Sequence, residues 1–147
     1  GKNVYNQAVL IELIQIKHCK GVTAVFKLDY HSRIPIYKQI EDSIVELILL
    51  GVYQEDSQLP SVRGLAVELG INPNTIQKSY QDLEAAGIIS SVTGKGSFVR
   101  GVEAARQMRR QKALSTLSVS AREARMAGVD REEACAVVEK EYEVKDL

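Results

Sequence analysis

Between Leu69 and Gln81 the chain places Asn72, Asn74, Thr75, Gln77, Lys78 and Gln81 in one short polar stretch. A side-chain amide both donates and accepts, which suits the edge of a base, whereas a hydroxyl and an ammonium suit phosphate oxygens. Arg63 stands upstream, just behind Ser61. Its planar fork can grip a phosphate or a guanine through two parallel hydrogen bonds, and Ser61 can cap its own helix while still facing phosphate. Downstream, Lys95 is a lone cation between Gly94 and Gly96, two residues that let a backbone come close to whatever it touches. Internal uses compete: Arg63 could pair with Glu68, Asn72 serves as a helix cap, and Tyr37 and Tyr80 read as core aromatics rather than contacts.

The residues that catalysis or metal binding would need are scattered. His18 and His31 are isolated, Cys19 and Cys135 form neither a zinc spacing nor a disulfide framework, and no pair of acids is tied to a plausible cleft. No enzyme, metal centre or cofactor is expected. Cys135 lies in the apolar run ACAVV and is expected in a core, with a redox-sensing thiol as the alternative. With no evident secretory signal the cysteines point to a reducing cytosol, and no apolar run nears the roughly 20 residues that span a bilayer, so no membrane role is expected.

The 147 residues suit one ordinary domain or two small ones, and an apolar fraction of 45% is that of a globular chain. Lys and Arg together number 19, as do Asp and Glu. Three basic groups face one acidic over residues 1–26, seven face nine over 27–100, and nine face nine over 101–147. A nucleic-acid partner would have to be met by a few placed groups and by helix N-termini, not by a bulk positive field.

Those groups need elements to hold them. Pro35 opens a helix whose apolar positions Ile36, Tyr37, Ile40, Ile44, Leu47 and Ile48 recur at three and four, and Gly51 closes it. Ser61 caps a second helix, with Val62, Leu65, Ala66 and Leu69 inward and Gly70 as its stop. Asn72 as cap and Pro73 at the first helical position start a third, in which Ile76, Tyr80 and Leu83 face inward and which Gly87 ends. The short turn from Leu69 to Asn74 holds the second and third helices steeply crossed, so that one can enter a major groove about 12 Å wide while the other crosses the backbone. Ile88 to Ser91 and Ser97 to Val99 are strand candidates joined by VTGKG as a tight hairpin, the wing that would carry Lys95 to a minor groove or its phosphates. Three helices and a hairpin make a mainly α winged helix-turn-helix, with a core of Ile40, Ile44, Leu47, Leu59, Leu65, Leu69, Ile76, Tyr80, Leu83 and Phe98.

Residues 1–26 are expected to form an N-terminal extension containing AVLIELIQI, read as a helix with a strand as the alternative, and either peripheral to the function or an added packing or dimer arm. Residues 27–101 are the winged helix-turn-helix. Residues 102–147 read as a small helical module: Leu114, Leu117, Ala121 and Ala124 repeat at three, four and three, and Asp130 starts a last helix with Ala134, Val137, Val138 and Tyr142 inward. That module is too thin to own a core. Its stripe, above all Leu114, Leu117, Ala121, Ala124, Val137 and Val138, needs a partner, and a second copy of the chain gives a two-fold homodimer.

Residues 33–99, with RIPIYKQI, LPSVRGLAVELGINPNTIQKSYQDLEAAGII and GKGSFV, resemble the DNA-binding domain of the GntR family of bacterial transcription regulators. The short helical tail resembles that of the YtrA-type subfamily. The resemblance implies a small dimeric regulator, often a repressor beside ABC-transporter genes, that binds double-stranded operator DNA. It implies DNA contacts from Arg63 after LPS, from Asn72, Pro73, Asn74, Thr75 and Gln77 in the recognition helix, and from Gly94, Lys95 and Gly96 in the wing. Pro73 and Gln77 stand where many relatives have a basic residue, which shifts weight to Asn74, Lys78 and Arg63. Gly64 and Asp56 stand where relatives commonly have a polar helix former and a glycine. Larger relatives bind metabolites in a big C-terminal domain, whereas residues 101–147 have little volume for a pocket of about 300 Å³ or more. A small-molecule effector would have to sit at the dimer interface or be absent.

The sequence thus reads as a cytoplasmic, homodimeric regulator, more a repressor than an activator, on a pseudo-palindromic operator. The balanced charge supports an alternative, a winged helix used as a protein-interaction module without specific DNA binding.

Overall fold

The computed structural model describes residues 26–144. In chain order they form α1 (Ile36–Leu49), α2 (Val62–Leu69), α3 (Pro73–Ala85), β1 (Ile89–Val92), β2 (Gly96–Val99), α4 (Val102–Met126) and α5 (Arg131–Glu143). The segment AVLIELIQI lies outside the described residues.

Local chemistry sets the boundaries of the helix-turn-helix. Ser61 Oγ accepts the Gly64 amide at 3.0 Å and starts α2, and Asn72 Oδ1 accepts the Asn74 amide at 2.8 Å and starts α3. Pro73 takes the first position of α3, where a missing amide hydrogen costs nothing. Between the helices Gly70 adopts φ 66, a conformation that strains most L side chains, and so lets the chain turn sharply out of α2.

β1 and β2 pair antiparallel, with Ile89 opposite Val99 and Val92 opposite Gly96. The other edge of β2 is not free. Leu59 N donates to the Ser97 carbonyl at 2.9 Å and Val99 N to the Ser57 carbonyl at 3.0 Å, which clamps the hairpin to the chain leading into α2. This fixes the wing relative to Ser61 and Arg63 before any partner is present.

Ile40, Ile44, Leu65, Ile76, Leu83, Ile88 and Val99 are removed from water in one cluster, so all three helices and the hairpin share the core. Full burial of such a side chain contributes about 1.5–3 kcal/mol. Leu69 and Phe98, expected in that core, are only half-buried. Leu69 sits in the last turn of α2. On β2 the inward place falls to Val99, and the two-residue period of a strand turns Phe98 to the other face, where the Arg100 guanidinium covers its ring at 5.5 Å.

By compactness the chain divides between Arg109 and Arg110. In the second unit Asp130 accepts the Glu133 amide at 2.9 Å and starts α5. No residue of α5 is buried, and Leu114, Leu117 and Val137 are 48%, 46% and 61% exposed. The expectation that Cys135 lies in a core is wrong: its thiol is exposed, because helices this few enclose no interior. Among the described residues no helix is long and apolar enough to cross a membrane.

Candidate nucleic-acid interface

One side of α3 is bonded to its neighbours. Ile76 and Leu83 lie in the core, and the buried Tyr80 sends its hydroxyl to the Pro60 carbonyl at 2.7 Å, tying α3 to the chain just ahead of Ser61. Burial pushes that hydroxyl far above the ordinary tyrosine range, so it remains a donor. Ser79 Oγ bonds the Tyr37 carbonyl of α1 at 2.8 Å and reaches the Thr75 carbonyl at 3.1 Å. Both tyrosines thus serve the scaffold, Tyr80 wholly and Tyr37 through its backbone.

The other side faces water. Asn74, Gln77 and Gln81 are exposed and Thr75 is half-buried. Among the described residues no hydrogen bond engages the side chains of Asn74, Gln77 or Gln81. Asn72 is exposed and spends its side-chain oxygen on the Asn74 amide, while the Thr75 amide donates to the Asn72 backbone carbonyl at 3.0 Å and Pro73 has no amide hydrogen. An anion at this end of α3 is therefore favoured by the helix dipole rather than by free amides. Arg63 is exposed, and no ion pair to Glu68 or any other described acid holds it.

Lys78 is the exception. Its Nζ lies 2.7 Å from Asp82 Oδ1 and 5.7 Å from the centroid of the Tyr37 ring. The hydrogen bond to Asp82 holds the lysine above its ordinary value and, from the other side, the aspartate below its own. A phosphate at Lys78 would meet a cation whose charge Asp82 already opposes.

At the wing, Lys95 is exposed at the tip of a turn in which Gly94 takes φ 75 and Gly96 φ 114. Gln58 Nε2 donates to the Lys95 carbonyl at 2.8 Å, so the tip is braced by the same segment that leads to Ser61 and Arg63. Sequence reasoning missed Gln58, whose partner lies 37 residues away and carries no local signal. It also missed Glu41, which did carry one: a charged residue four after Tyr37 and three before Ile44 falls on the buried stripe of α1. Asp56, where the family resemblance leads us to expect a glycine, adopts φ 66 and pairs with Arg100, whose Nε also bonds Ser90 Oγ at 3.0 Å. The positive φ is the physical reason for a glycine at such a place. Among the described residues no group of His, Cys, Asp and Glu could hold a metal ion.

Comparison with known proteins places this arrangement. Residues 36–99 match the profile of "Bacterial regulatory proteins, gntR family". The chain is 41% identical to the HTH-type transcriptional repressor YtrA of Bacillus subtilis over 51% of its own length and 58% of that protein's. It is 39% identical to the HTH-type transcriptional regulator YhcF of the same organism, over 48% of itself and 58% of the relative. The chain therefore spans less than two thirds of the length of these curated relatives. Among solved structures, a GntR family transcriptional regulator from Listeria monocytogenes superposes with a TM-score of 0.64 at 34% identity, covering 77% of this chain and 98% of the other. YtrA from Sulfolobus acidocaldarius, a GntR-family transcription factor, gives 0.52 at 39% identity, covering 64% of this chain and 98% of that one.

Proposed function

Since the chain belongs to the gntR family of bacterial regulatory proteins, in its YtrA-like branch, we propose that it is a sequence-specific DNA-binding transcription regulator that acts as a homodimer. The observation that carries this reading is the two-sidedness of α3: the side toward the scaffold is bonded to α1 and to the chain ahead of α2, while the polar side has no internal partner at Asn74, Gln77 or Gln81. A helix so presented lies in a major groove, with Asn74 and Gln77 toward base edges and Thr75, Asn72 and Pro73 at the phosphates beside its N-terminus. Arg63 and Ser61 meet the backbone or a guanine from α2, Lys78 meets a phosphate at lower strength, and Gly94, Lys95 and Gly96 bring the wing to the flanking groove.

Two copies present two such helices to a pseudo-palindromic operator, joined through the faces of α4 and α5 that carry Leu114, Leu117, Ala121, Ala124, Val137 and Val138. Repression by occlusion of a promoter follows the Bacillus subtilis relative, which is a repressor. The site of action is the cytoplasm, and a small-molecule effector, where one exists, sits at the dimer interface.

Selection from random duplexes at fixed salt tests the reading. The expected result is one repeated half-site at a single spacing, with affinity falling as salt rises. An absence of salt-dependent duplex binding would instead favour the winged helix as a protein-interaction module, the use that balanced charge allows.

A further inference from the structure

Glu41 is a charged residue carried by helical period onto the buried stripe of α1, and its side chain has no exposure to water. Its Oε2 accepts from Lys38 Nζ at 2.7 Å, but its Oε1 is buried without a donor. Across the seam Ser79 Oγ of α3 bonds the Tyr37 carbonyl at 2.8 Å, and Lys78 Nζ stands 5.7 Å from the Tyr37 ring and 2.7 Å from Asp82 Oδ1. This brings Asp82, one turn along α3 from Lys78, to the stretch of α1 where Glu41 stands one turn along from Tyr37, and each carboxyl acts on the other's protonation. Two ionised carboxylates are both acceptors and repel, so neither satisfies the other. A single hydrogen between them satisfies both.

We propose that Glu41 and Asp82 share one proton, which ties α3 to α1 and holds Lys78 over the Tyr37 ring, making Glu41 a positioning residue for the polar side of α3. The consequence for DNA rests on the reading of α3 given above; the proton does not. The charged groups around it are Lys38 and Asp42 on α1 and Lys78 and Asp82 on α3, with the Tyr37 ring beneath Lys78. With the proton in place, the set Lys38, Glu41, Asp82 and Lys78 carries one net positive charge beside α3; without it the set is neutral and two carboxylates face each other.

Burial is the main cause that raises Glu41 above its ordinary 4.5, with Lys38 opposing and Asp82 adding to the rise. For a carboxyl raised on folding, the stabilisation is complete below the ordinary value and is lost as pH climbs through the raised one. Asp82, held low chiefly by Lys78, behaves in the opposite sense: its contribution is present above 3.8 and is lost as pH falls through its lowered value.

The test uses the full chain. The side-chain carboxyl of Glu41 is followed by carbon-13 NMR against pH, and urea unfolding is measured over the same range for the parent, Glu41→Gln and Asp82→Asn. Glu41 is expected to titrate above 4.5. The parent's unfolding constant is expected to rise by up to about tenfold per pH unit while Glu41 ionises. Glu41→Gln, whose amide offers Asp82 a permanent hydrogen, should lack that rise, and Asp82→Asn should bring the Glu41 titration down. Titration of Glu41 at or below the ordinary value overturns the proposal, as do parallel unfolding profiles for the parent and Glu41→Gln. If Glu41→Gln does not fold, the shift in Asp82→Asn decides alone. Duplex affinity in the same series should fall with the parent's ionisation and stay level in Glu41→Gln. A chain that binds no duplex at any pH refutes the DNA reading while the NMR and unfolding data still decide the shared proton.

Discussion

Arg63 and Lys95 are exposed, and no intramolecular partner competes for either side chain among the described residues. Removing such a group leaves folding almost untouched, so Arg63→Ala should unfold in urea within about 0.5 kcal/mol of the parent. Its affinity for the selected duplex, read by fluorescence anisotropy at fixed salt, should fall roughly tenfold to a hundredfold. A loss confined to one base position marks a guanine contact, and a loss uniform over sequences marks a phosphate. Lys95→Ala should weaken all duplexes and flatten the salt slope by about one unit. Unchanged affinity in both variants would remove Arg63 and the wing from the interface. Gly64 shows where sequence and structure disagree in cost. Propensity alone assigns Gly64→Ala a gain of about 1 kcal/mol, but the new Cβ would stand 2.9 Å from Ser61 Oγ. Turning that hydroxyl away forfeits the cap of α2, a loss of similar size, about 1 kcal/mol. The two should nearly cancel in denaturant melts, and a clear stabilisation would mean that Ser61 caps without crowding. At this scale the exposure of Asn74, Gln77 and Gln81 on α3, of Arg63 and of Lys95 was legible from residue type and spacing. Gln58 was not, since its bond to Lys95 closes a loop of 37 residues.

The elements were legible where a boundary is written in local chemistry. Ser61, Asn72 with Pro73, and Asp130 mark helix starts that the structure places at those residues. The strands were less so: β1 and β2 run Ile89–Val92 and Gly96–Val99, because Val92 and Gly96 close the ladder that sequence reading assigned to the turn. Nor could local pattern show the Leu59 and Ser57 backbone bonds to β2, which depend on the whole fold. Those bonds make a contrast between two glycines of the wing. At Gly94, with φ 75, an added Cβ meets nothing within 4 Å, so Gly94→Ala bears only the strain of a left-handed residue, about 1–2 kcal/mol. At Gly96, with φ 114, the Cβ would also lie 2.7 Å from Gln58 Nε2 and displace the brace on the Lys95 carbonyl. Gly96→Ala should therefore be the more destabilising in urea and should lower duplex affinity further than its effect on folding explains. Equal effects for the two variants would show that the Gln58 brace does not position the tip.

At the scale of the molecule the question is what stabilises α4 and α5. A helix of 13 residues is close to the length at which an isolated helix is marginal in water, about 12–15 residues. The Asp130 cap, acids in the first turn of α5 and Lys140 in the last all favour it, but each supplies only about 0.3–1 kcal/mol. Burial supplies the larger energies elsewhere in the chain, whereas no residue of α5 is fully buried and only Ala134 and Val138 are half-covered. Its persistence, together with the three-four-three stripe on α4, points to cover from a second copy. Leu117 is 46% exposed and belongs to no buried cluster, so Leu117→Glu should leave the winged helix intact while placing a charge in the joined face. In sedimentation the parent should run as a dimer and Leu117→Glu as a monomer. The same substitution separates affinity from avidity. A single half-site should be bound equally by both chains, whereas a duplex with two half-sites should lose the gain of linkage, on the order of 10² to 10⁴ in apparent affinity. A dimeric Leu117→Glu chain would move the interface off this face. Equal binding of the two-site duplex by a monomeric variant would show that the two recognition helices never depended on being joined.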